Sequence, residues 1–322
     1  MRTCFTVCFP CVFPLVVPRG LQNRIPFLFA IRPREVYNIR YRIVICVNIR
    51  PSRPVQGGVR MLPFWELTPD QRQFRLDQAI ALSEQARQVV VGIGMRKERT
   101  LHSVLKFYFE PDADRQEIPV EPFIADIYHE DPQEVLEIQT GSFAPLREKL
   151  AAILPQFPVT VVHPVIRKKR LYWSDPETGE LSGGRLTPHT GTLAEILPEL
   201  YRVSSLLSEP GLSFLPILLD VDEYRLTDGW NRDGKRGSHR IDRVPTAVGE
   251  SVLLEKPEDY YAILPELPEI FTSREFGKAM RMQGRALSYS LSVLQKLGVV
   301  VRAENRGRQY QYRLADPGCI EP

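Results

Sequence analysis

A chain of 322 residues has room for one large domain or two ordinary ones and can bury a core without disulfide staples. With 43% hydrophobic and 25% charged residues and a mean hydropathy of −0.20, it is neither a wholly disordered chain nor a polytopic membrane protein. The net charge of +3 is a sum over regions of opposite sign. Residues 1–60 set ten arginines against Glu35, about +9, and residues 271–315 set nine Lys or Arg against Glu275 and Glu304, about +7. Residues 61–270 are therefore acidic, at about −11.

Residues 1–60 hold Cys4, Cys8 and Cys11 in the spacing of an iron–sulfur loop, but no strand precedes them. The apolar stretch to Val17 is broken by Pro10 and Pro14, lacks a small-residue cleavage site and is too short to span a bilayer. With prolines throughout and no amphipathic period, 1–60 is expected to be a disordered arm or an upstream-extended start, with Met61 the natural beginning. Four of the five cysteines lie in it, so no disulfide framework follows and a cytoplasmic location is expected.

Residues 61–94 form a helical lead-in that starts after Thr68-Pro69-Asp70, with Phe74, Ile80, Ala81 and Ala86 in period. A second helix is expected over 96–108, with Glu98 in its first turn. Strands follow at 117–121, 122–128 and 134–140, the last two forming a hairpin. Asp126 and Glu137 lie in these apolar strands, Glu137 and Gln139 share a face, and pairing brings Asp126 alongside. Carboxylates so placed are costly unless compensated, and a divalent cation is the common compensation. A helix over 141–154 carries Lys149, and 157–163 is a β-branched run suited to a buried strand.

Glu98 on the helix, Asp126 in one strand and Glu137-Ile138-Gln139 in the next resemble the PD-(D/E)XK nuclease superfamily, the restriction-endonuclease-like fold that includes archaeal Holliday-junction resolvases. The segments ERTLHSVLK, FIADIY, LEIQT, LREKL and VTVVHPV are similar to a little-characterised group of nuclease-like proteins in which this domain precedes a C-terminal winged helix. The resemblance spans 95–314 and implies an α/β fold with an αβββαβ core over 95–166. It implies that Asp126 and Glu137, with Glu98 as third acid, hold Mg2+ or Mn2+, activating water for in-line attack on a phosphodiester. The departure is Gln139, where the superfamily usually has Lys. A neutral amide offers no ammonium charge, and Lys106 or Lys149 is expected to supply it from a neighbouring helix.

Residues 167–257 read as an α+β extension: a hairpin around Asp175-Pro176-Glu177-Thr178-Gly179, a helix over 191–207 and a buried strand over 212–221. A flexible basic loop over 228–243 carries Trp230, Lys235, Arg236, Arg240 and Arg243; nucleic-acid contact and a plain solvent hairpin tip are both open for it. Residues 258–315 read as a winged helix: a capping box at Thr272 and Glu275, helices over 272–280 and 285–297, then strands at 299–302 and 308–314. Arg281, Gln283, Arg285, Ser288 and Tyr289 are the groove-facing candidates, with Arg306 and Arg308 on the wing. Residues 316–322 are a tail.

The expected function is Mg2+-dependent hydrolysis of DNA, targeted by the winged helix, with DNA as partner, no membrane association and a homodimer left open. The alternatives are a catalytically inactive DNA-binding regulator on the same fold and a protein-interaction scaffold.

Overall fold

The computed structural model describes residues 67–89, 100–230, 236–303 and 310–316, excepting side chains at 88–89, 227–230 and 236–239. The expectations placed on 1–66, Glu98, Lys235, Arg306 and Arg308, and on the side chains of Trp230 and Arg236, lie outside the described residues. All described residues belong to one compact unit, 56–322.

The architecture is mixed α/β around a central sheet. Helix α1 (Pro69–Val89) lies against α2 (Thr100–Phe109), and the two share a buried hydrogen bond, Ser83 Oγ to Ser103 Oγ at 2.7 Å. Of the residues expected to set its inward stripe, Ile80 and Ala86 pack against the core beside Leu76, Ala79 and Ser83, whereas Phe74 is 65% exposed; the polar Ser83 is accepted into the interface through its serine partner.

Strands β1 (Gln116–Val120), β2 (Phe123–Glu130) and β3 (Gln133–Ile138) run antiparallel in sequence order. Helix α3 (Leu146–Ile153) returns the chain to β4 (Val159–Ser174), which pairs parallel to β3. The element order is thus α-β-β-β-α-β. Helix α3 starts five residues later than 141 because Pro145, with no N–H and a ring that clashes inside a helix, sits at its N-cap.

Beyond α3 the sheet continues with no break at 166/167. Strand β4 pairs along its whole length with β6 (Leu212–Trp230), and β7 (Arg236–Ser251) closes the far edge, giving the order β1-β2-β3-β4-β6-β7. The expected basic loop over 228–243 is instead largely paired strand: Arg225 lies opposite Arg240 and Glu223 opposite Arg243. The expected helix over 191–207 is broken into a 3-10 turn (Leu193–Ile196), one α-turn, α4 (Leu197–Leu200), and a second 3-10 stretch (Tyr201–Leu206). Pro198 removes a donor, and Val203 leaves the helical region at φ −114°, ψ 20°.

Since β6 occupies one edge of β4 from Val159 to Ser174, β3 and β5 (Leu181–Leu186) share the other. β3 pairs at 159–162 and β5 at 170–174, so the edge between them is bordered by no strand. A cleft of about 560 Å³ opens there.

Apolar layers cover both faces of the sheet. Leu76, Leu101 and Leu105 meet Ile127, Leu136 and Leu219 on one side. On the other, Leu150 and Ile153 of α3 meet Val135, Val161 and Phe214. Leu150 and Ile153 are fully buried, each stabilising the fold by about 1.5–3 kcal/mol.

The C-terminal segment is β8 (Phe271–Thr272), α5 (Ser273–Ala279), α6 (Gly284–Lys296), β9 (Val300–Arg302) and β10 (Gln311–Leu314), the strands pairing in the order β8-β10-β9. Its Phe276, Leu291 and Leu294 belong to the same apolar cluster as Leu197, Leu200 and Val203.

Candidate functional site

Strands β2 and β3 pair from Glu130/Gln133 to Ile127/Leu136. One residue further the ladder is completed by side chains. Ile138 N–H donates to Asp126 Oδ2 at 2.8 Å, and Asp126 N–H lies 3.3 Å from Glu137 Oε1. Each carboxylate thus satisfies backbone that the parting strands leave open, which fixes both acids side by side at the end of β3. Glu137 is 3% exposed, a burial that a carboxylate tolerates only with partners.

Those partners come from the two neighbouring helices. From α3, Lys149 Nζ donates to Glu137 Oε2. From α2, His102 Nε2 lies 3.3 Å from Asp126 Oδ2. Burial pushes the Glu137 carboxyl up to about 7, the Asp126 charge adding to it and Lys149 opposing. Burial acts on Asp126 in the same direction but is outweighed by the His102 hydrogen bond and charge, the Ile138 amide and Lys149, so its carboxyl lies below the ordinary value. The two neighbouring acids are thus pushed in opposite directions, Asp126 down and Glu137 up.

Of the expected site residues, Asp126, Glu137 and Lys149 meet. Lys106 is placed elsewhere: its ammonium is 2.6 Å from Glu117 Oε1 on β1, so of the two lysines it is Lys149 that reaches the acids. Gln139 does not turn to the acids. Its amide donates to the Ser142 carbonyl at 2.6 Å, closing the turn after β3. His102 is a site residue that the sequence reading passed over; its signal was a titratable side chain within the helix expected over 96–108.

The cleft begins where this site ends. Thr140, Gly141 and Ser142 line it, with His163 from β4 and Lys169 and Arg243 further along. His163 Nδ1–H donates to the Gln139 carbonyl at 2.7 Å, and burial lowers the pKa of its ring.

In the C-terminal segment, Arg281, Gln283, Arg285 and Ser288 are exposed. Tyr289 is not groove-facing: its ring stacks on Tyr201 with centroids 4.1 Å apart, and Arg202 lies 5.6 Å over it. An aromatic next to an apolar helix stripe gains more from a packed partner than from water, and Tyr201 supplies one. Arg240 is exposed on β7.

Among the described residues no group of three His, Cys, Asp or Glu is arranged to hold a metal ion. Asp126 and Glu137 offer hard oxygen donors, and Glu98 lies outside the described residues.

Residues 99–255, from α2 to the end of β7, match the family described as a domain of unknown function, DUF8091. An uncharacterized protein of Treponema pallidum (strain Nichols) is 30% identical over 223 residues, covering 69% of this chain and 87% of its own length. No solved structure matches the chain.

Proposed function

This chain belongs to one family with the Treponema pallidum protein and matches the DUF8091 domain over residues 99–255; on the geometry of its site, and not on that kinship, we propose that it is a divalent-cation-dependent nuclease hydrolysing DNA phosphodiester bonds. The observation that carries the reading is the meeting of Asp126, Glu137 and Lys149 at the end of β3. The α-β-β-β-α-β order, with β3 and β4 parallel, supports a restriction-endonuclease-like core, and the β8-α5-α6-β9-β10 order supports a winged helix. Lysine two residues after the second acid is replaced by one from the following helix.

The donor set fits Mg2+ or Mn2+. Mg2+ usually takes one or two carboxylates from the protein and the rest from water and phosphate. Burial and the neighbouring Asp126 charge push Glu137 up to about 7 against Lys149 and the Asp126 amide, and a cation beside the two carboxylates would offset both causes. Such an ion supplies Lewis acidity and a water activated at neutral pH. Lys149 holds Glu137 in place and offers an ammonium to charge developing on the phosphate. His102 orients Asp126 through Oδ2, and the Ile138 amide fixes the same oxygen.

A second reading, DNA binding without cleavage, is favoured by the commitment of Gln139 to its own turn. The test is conversion of supercoiled plasmid, branched DNA and single strands with Mg2+ or Mn2+. Wild type is expected to cut, and Asp126→Ala and Glu137→Ala to lose at least about a hundredfold in rate. Equal activity in both variants refutes the site, and binding with no cleavage by wild type selects the second reading.

A further inference from the structure

Strand β4 carries His163 on the same face of the sheet as Glu137. Glu137 is paired with Val161, so His163, two residues on, faces the same way from the next strand, about 8 Å off between Cα atoms by the usual sheet spacings. Its ring is fixed in orientation. The Gln139 carbonyl can only accept, so the 2.7 Å bond to it puts the ring proton on Nδ1, and Phe143 packs edge-to-face against the ring at 5.1 Å. Burial lowers the pKa of the ring against the Gln139 bond and the Glu199 charge, so at neutral pH Nε2 carries a bare lone pair. Among the described residues the fully buried side-chain nitrogen or oxygen without a hydrogen bond is Arg72 Nε. Nε2 of His163 also lacks a partner among them, so it is open to the cleft that the ring lines.

A second acceptor faces it. Glu199 of α4 lines the same cleft, close enough for its charge to act on the His163 ring. Its Oε2 accepts from the Phe143 amide at 3.1 Å, and its other oxygen has no partner among the described residues. Pro164 and Val165 give this end of the cleft an apolar wall. Lys169 and Arg243 belong to the other end: Lys169 is six residues further along β4, about 20 Å in an extended strand, and both are held by Glu223. Two neighbouring acceptors beside an apolar wall suit a flat ligand that shows two adjacent donors. Guanine has that edge, its ring N–H beside its exocyclic amino group. Adenine and cytosine set a single donor group beside a ring acceptor, and thymine sets one donor between two acceptors.

We propose that the His163 end of the cleft is a guanine subsite, which takes an unpaired base of the strand whose backbone lies at the Asp126–Glu137 pair. The ring N–H and amino group of the base donate to His163 Nε2 and to the open Glu199 oxygen, the way an unstacked base is read by its pairing edge. This rests on the nuclease reading for the polymer and adds a base preference to it.

The test is fluorescence anisotropy in EDTA with labelled oligothymidines that carry one central guanine, hypoxanthine or thymine; hypoxanthine differs from guanine only in lacking the amino group. Wild type is expected to bind the guanine strand about tenfold more tightly than the other two, as for one well-made base contact. His163→Asn keeps an amide for the Gln139 carbonyl and removes Nε2. Glu199→Gln keeps an oxygen for the Phe143 amide, and as the milder change it guards against loss of fold in the first. Each variant is expected to bring the three strands within about twofold of one another, with binding of the thymine strand unchanged. Equal binding of all three strands by wild type, or a guanine preference that survives both variants, overturns the proposal. So does a preference for ribose strands whatever the base, which places a sugar hydroxyl in the cleft, or guanosine monophosphate binding as tightly as the strand, which makes the ligand a free nucleotide. Since EDTA removes the cation, hydrolysis plays no part. A wild type that cuts DNA without favouring guanine keeps the nuclease reading and sinks this one; a guanine preference carried by His163 and Glu199 in a protein that never cuts does the reverse.

Discussion

His129 shows how strongly single residues are positioned here. Its Nδ1 is 2.8 Å from Glu134 and its Nε2 3.2 Å from Glu110, and these two hydrogen bonds raise its pKa to about 9 against the opposing effect of burial. A histidine raised in the folded state stabilises fully below its unfolded value near 6.5 and loses that contribution as pH rises through about 9. The melting temperature of His129→Gln should therefore lie furthest below wild type near pH 6 and converge with it by pH 10. A constant gap would contradict the assignment. At the same scale the sequence exposed the two acids, because carboxylates in apolar strands are conspicuous. It did not expose which lysine answers them: Lys149 reaches Glu137 from α3, whereas Lys106, one turn beyond His102 on α2, is paired with Glu117 on β1.

Among the elements, those written in local chemistry were legible. The capping box at Thr272 and Glu275 forms as expected, Thr272 Oγ1 accepting from the Glu275 amide. Thr272→Ala should cost about 1 kcal/mol in urea denaturation, and no loss would remove the cap from the account of α5. The three strands around Asp126 and Glu137, and α6 with its leucines, also follow from period and turn residues. What failed depended on distant partners. The segment 228–243 read as a loop because its glycines and charges hide a pairing with β6 that only the sheet supplies. Tyr289 read as a base-contacting residue because Tyr201, 88 residues earlier, is invisible to local pattern.

For the whole molecule, the apolar cluster that starts under α3 runs without interruption into Phe276, Leu291 and Leu294. The C-terminal segment is thus packed onto the sheet's own core, and the described unit should unfold in a single transition, with circular dichroism and tyrosine fluorescence coincident. Two separated transitions would show an independent C-terminal module. The mildly basic net charge of +3 also resolves at this scale into an acidic body and basic flanking segments, residues 1–60 and 271–315.

The central claim is that Lys149 supplies from α3 the charge that Gln139, just past β3, lacks. The direct measurement is the initial rate of Mg2+-dependent DNA cleavage by wild type, Lys149→Ala and Lys149→Ala/Gln139→Lys. The account predicts a loss of at least about a hundredfold in Lys149→Ala, as for removal of a group that stabilises transition-state charge, and partial recovery when lysine is restored at position 139. Cleavage by Lys149→Ala at the wild-type rate would contradict it.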